Sequence, residues 1–209
     1  MSDKLKVTRE RNYSAHHKLI GAARIAVESA IKREPGWSYA VIVGISLCGL
    51  AVEAICNAIG DRVVPEWDDF EPAPPKAKLR VICQALNIKY DKDGEPWKTL
   101  SWVIKMRNKL AHAKPEIIKA EHVWTREEYE LYRHDQPISK LETHLTIKNA
   151  EIALNATDHM LLMLSQAVPL DKRIGLYSDA WHGHASLLAE HVPPKKAAKN
   201  GHKKKPKKA

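Results

Sequence analysis

The stretch Trp97–Pro115, WKTLSWVIKMRNKLAHAKP, decides how the rest of the chain is read. Trp97, Leu100, Val103, Met106 and Leu110 recur at spacings of three and four, the period that lays apolar side chains along one stripe of a helix. Pro96 suits a helix start. Pro115 cannot continue a helix and biases the residue before it away from helical angles, so the helix is expected to end by about Lys114. Its last turns carry Arg107, Asn108 and His112. Asn108 and His112 are four apart and share a face. Arg107 and His112 are five apart, about 140° around the axis, so they meet on one ligand only through a distorted helix end or a second copy of the chain. A helix ending in Arg, Lys and His also has a purely structural reading, because cations suit the free carbonyls and the negative pole of the dipole.

Working outward, the same period recurs in three further long segments and one short one. From Tyr13 to Arg33, Leu19, Ile20, Ala23, Ala26, Val27, Ala30 and Ile31 are helix-spaced, and Pro35-Gly36 stops the run. The adjacent His16 and His17 are expected to face solvent. Trp37–Ile59 is the most apolar segment and is long enough to span a bilayer. Glu53 and Asn57 within it, and the lack of a basic anchor before Trp37, point to a buried central helix, with no membrane partner. Lys76–Leu86 reads as a short helix, and residues 144–168 as the last long one. In the latter, Met160–Leu164 widens the apolar stripe as if a second subunit covered it. The fold class is therefore all-α, a bundle of four or five core helices spanning residues 13–168.

Other segments read as appendages. Residues 1–12 are charged and expected to be flexible. Residues 116–146 form an insert in which Thr125 and Glu128 have the spacing of a capping box. Residues 169–192 form a C-terminal extension with one weak helix. Asp68, Asp69 and Glu71 lie in a proline-rich loop, and His182 and His184 lack further ligands at normal spacing, so no metal is expected. Cys48, Cys56 and Cys83 read as small buried hydrophobes of a cytosolic chain, and the polar N-terminus shows no signal peptide.

The net charge of +9 is located mostly at one end. Residues 195–209 hold eight lysines and no acidic side chain, while the other 194 residues carry 26 basic side chains against 25 acidic. The body is thus nearly neutral. The tail, 193–209, is disordered by composition, and Lys203, Lys204, Lys205, Lys207 and Lys208 read as a non-specific binder of phosphate backbones or as a solubilising appendage.

RNKLAH, residues 107–112, resembles the Arg-x(4–6)-His signature of HEPN domains (higher eukaryotes and prokaryotes nucleotide-binding), in which a polar residue, often Asn, follows the Arg as Asn108 does here. The resemblance covers roughly residues 13–168 and excludes the 116–146 insert. It implies a homodimer whose two motifs line one cleft, and metal-independent cleavage of RNA by the neighbouring 2′-hydroxyl, with no cofactor. Arg107, Asn108 and His112 would be the catalytic set, with Glu53 and Asn57 on the second helix facing them. A toxin or antiviral effector, restrained by an antitoxin or regulator, is the implied role. The alternatives are a HEPN-like dimer that holds RNA or nucleotide without cleaving it, and a structural adaptor. The chemistry suits the residue types. Histidine exchanges protons near neutral pH, Arg forks to two phosphate oxygens, and a carboxylate in an otherwise apolar helix needs a partner, for which Arg107 is the natural candidate.

Overall fold

The computed structural model describes residues 5–177 and 179–187. Among these, six α-helices account for most of the chain: α1 (Ala15–Ile31), α2 (Trp37–Val63), α3 (Pro75–Ala85), α4 (Trp97–Ala111), α5 (Arg126–Tyr132) and α6 (Ile147–Ala167). The expected all-α bundle is present in its main lines, and the described residues also include a small two-stranded sheet. The chain divides into two compact units. Arg11–Ala180 contains every helix, and the other unit is drawn from the two chain ends.

In the helical unit, α2 is the axis. α1, α3, α4 and α6 all pack against it, and α6 also touches α1 and α4. Its eleven buried residues run from Val41 to Gly60 and supply the centre of the core. By length and composition α2 could cross a bilayer, its best window having a mean hydropathy of 2.1, and half of that window is buried by the other helices. Two glycines make these contacts close. A Cβ on Gly44 would come within 2.9 Å of Val27 on α1, and one on Gly49 within 2.6 Å of the Arg107 Cβ on α4. Cys48, Cys56 and Cys83 are buried and unpaired, and desolvation pushes the Cys48 thiol up to about 12 and that of Cys83 to about 11.

The structure departs from the sequence reading at both ends. Leu5–Asn12, expected to be flexible, is strand β1, and Ala180–Leu187, expected to hold a weak helix, is strand β2. Glu10 reaches His182, and Thr8 and Arg9 lie against Gly183, so the pairing is antiparallel. Strand pairing across the length of the chain leaves no local periodicity to read, and every side chain of β1 is exposed. The helical unit also extends past residue 168, since Leu176 is fully buried. Here the expectation for the paired histidines fails. His16 is fully buried, its Nε2 3.1 Å from the Leu176 carbonyl, and His17 Nε2 lies 3.0 Å from the Gly175 carbonyl. Burial holds the His16 imidazole below its ordinary value. The carbonyls come from a segment about 160 residues away, which is why local pattern did not reveal them. The Lys-rich tail, with Lys203, Lys204, Lys205, Lys207 and Lys208, lies outside the described residues.

Candidate functional site

α4 buries Trp97, Leu100, Val103, Ile104 and Met106 against the bundle, whereas Leu110 is only half covered because the helix is leaving the core. The helix ends at Ala111. His112 is its C-cap, and its backbone N–H donates to the Asn108 carbonyl at 3.0 Å. The motif is therefore carried on the last turn of α4 and its C-cap.

The motif residues divide between two faces of α4. Arg107 continues the Leu100–Val103 row and turns to α2, where its Nη2 donates to the Glu53 carboxylate. Gly49, Glu53 and Asn57 stand at successive i, i+4 positions on α2. The missing side chain at Gly49 leaves room for the Arg107 stem, and Glu53 receives its head group. The expected pairing of Glu53 with Arg107 is present, and a third element completes it. Lys78 of α3, only 1% exposed, donates to Asn57 Oδ1 at 2.8 Å and lies 3.7 Å from Glu53 Oε1. Asn57 is thus turned to Lys78, and Glu53 lies between two cations. With its side chain 35% exposed, Glu53 is at the rim of the bundle. The Arg107 Nε has no hydrogen-bond partner among the described residues.

Asn108 and His112 lie on the other face and are exposed. Both line a groove of about 750 Å³, one wall of which is α4 (Ile104, Lys105, Asn108, Lys109 and His112). The opposite wall is Pro74, Pro75 and Lys76 at the start of α3 together with Lys140 and Leu141, while Ala113, Lys114 and Glu116 close the end. Arg107 is absent from the lining. Five lysines face one carboxylate in this groove, a local concentration of positive charge in a body whose totals nearly cancel. Cationic side chains around an exposed imidazole suit an anionic ligand, with the histidine placed to exchange a proton with it.

The sequence reading missed Lys78 and the groove lysines. Half of the groove had a signal: Lys105, Asn108, Lys109 and His112 are spaced i, i+3, i+4, i+7, a polar stripe opposite the apolar one. Lys76 and Lys140 come from other segments and are brought in only by the fold.

No model of a known protein family, no curated protein and no solved structure compared with this chain matches it.

Proposed function

We propose that this protein is a HEPN-type endoribonuclease that cleaves RNA without a metal, by attack of a 2′-hydroxyl on the adjacent phosphorus. The observation that carries the reading is the groove at the end of α4, where Asn108 and His112 stand among five lysines. Lys105, Lys109 and Lys114, on the α4 side and at the end of the groove, neutralise the phosphates of an RNA strand. His112 takes the 2′-hydroxyl proton or supplies one to the departing 5′-oxygen, and Asn108, one turn earlier, hydrogen-bonds the phosphate or the imidazole. One histidine serves one side of an in-line displacement. A homodimer formed through the motif-bearing end supplies the second His112, together with an Arg107 that Glu53 holds in place to stabilise charge on phosphorus. The cytosol is the compartment that keeps the three free thiols reduced. A toxin or antiviral effector restrained by a regulator is the role this activity suits.

The test is purified protein with total and transfer RNA in EDTA, beside Arg107→Ala and His112→Ala. Cleavage that survives EDTA and is lost in both variants is the expected result. Cleavage persisting in the variants would remove the motif from the chemistry. A second reading, a dimer that binds RNA and leaves it intact, is favoured by two observations: His112 caps its helix, and Arg107 is engaged with Glu53 outside the groove. RNA retention with no cleavage, and no growth defect on expression, would select it.

A further inference from the structure

Between α4 and α6 the chain leaves the bundle as an arm. From Ala113 to Ile138 every residue is exposed, and α5 within it buries nothing. The arm is nevertheless built. Thr125 and Glu128 form a complete capping box, and Trp124 stacks on His122 at 4.9 Å and packs on Tyr132 at 6.0 Å. It displays Val123, Ile117 and Leu131 at 99%, 89% and 70% exposure. An ordered segment that shows this much apolar surface and covers none of it marks an interaction site.

The arm's charge says what it fits. α5 carries Glu127, Glu128 and Glu130 against Arg126 and the C-cap Arg133, which pairs with Glu130 at 3.1 Å, so it keeps a net negative charge beside its apolar side chains. The groove wall opposite α4 has the complementary character, with Lys76 beside Pro74 and Pro75, and Lys140 beside Leu141. One chain holds both halves of this match, and a twofold axis then makes two identical contacts from one pair of surfaces. We propose that the arm of one copy seats α5 against the Lys76–Lys140 wall of a second copy, and the second arm does the same in return. The arm begins at Ala113, the residue after His112, so the exchange draws the two α4 ends toward the axis. That last consequence, a shared cleft with two histidines, rests on the function proposed above. The association does not, and is measured without RNA.

Two full-length variants test it: Glu127→Lys with Glu130→Lys in the arm, and Lys76→Glu with Lys140→Glu in the wall. All four positions are exposed, and circular dichroism checks that both variants fold as the parent does. In analytical ultracentrifugation the parent is expected at twice the 23.6 kDa chain mass, and each variant alone at the chain mass, a twofold loss. An equimolar mixture is expected to return to the doubled mass, because each reversed arm meets a reversed wall and each native arm a native wall. A monomeric parent, a dimer that survives either reversal, or a mixture that stays monomeric would each overturn the proposal. If the dimer forms as stated and no RNA is cut, the nuclease reading fails and the interface stands.

Discussion

Glu53 is the residue on which the polar cluster of the bundle depends, because among the described residues it is the carboxylate paired with both cations, Arg107 and Lys78. Removing one partner of a buried ion pair is far more damaging than replacing a charge by an apolar group of similar shape. The cluster therefore predicts an asymmetry. Glu53→Ala leaves the fully covered Lys78 with only Asn57 and frees Arg107, and should lower stability by about 1–3 kcal/mol. Lys78→Met keeps the volume, removes the buried charge and leaves the Glu53–Arg107 pair intact, so it should stay within about 1 kcal/mol of the parent. Urea unfolding at constant slope checks both. Equal losses in the two would mean that Lys78 is needed for more than its charge balance. Under the proposed chemistry, Glu53→Ala should also reduce cleavage more than it reduces folded protein, since Arg107 loses its anchor.

At the scale of the element, the crossing of α2 and α4 is what sets Arg107 in place. Gly49 lies at that crossing, and an added methyl would stand 2.6 Å from the Arg107 Cβ. Gly49→Ala should push the helices apart, destabilising by about 1–3 kcal/mol. The control is Gly21→Ala in α1, where an added Cβ meets nothing within 4 Å and the better helix former should stabilise by about 0.5–1 kcal/mol. Opposite shifts in melting temperature for the same chemical change would show that packing decides the sign. This crossing was legible from sequence. α2 and α4 announced themselves by period, and a lone carboxylate in an apolar helix called for the Arg107 it found. Lys78 was not legible, because its burial follows from where α3 lands on α2. The ribbon and the Leu176 anchor under His16 were illegible for the related reason that each depends on segments remote in sequence, which local pattern does not encode.

For the whole molecule, the question is which positive charge holds a nucleic acid. The chain outside residues 195–209 is close to neutral, so two local concentrations are compared, the three groove lysines that the arm leaves open (Lys105, Lys109 and Lys114) and the eight lysines of the tail. They should be separable by salt. On a single strand each neutralised phosphate adds about 0.7 to the fall of log K with log salt, so the three open groove lysines account for a slope of about 2 and a fully engaged tail for about 5–6. Deleting residues 193–209 should flatten the slope and weaken binding to any RNA alike, while leaving cleavage at saturating RNA unchanged. Lys105→Glu with Lys109→Glu should flatten it less, since only two lysines are removed and two carboxylates added, yet should abolish cleavage even at saturation because the strand no longer lies beside His112. Fluorescence anisotropy across a salt series, paired with single-turnover cleavage, reads both quantities. Tail deletion that leaves affinity and slope untouched would assign the tail no part in binding. Groove variants that bind weakly but cleave normally once saturated would place the reacting phosphate away from the α4 wall, and with it the site proposed for His112.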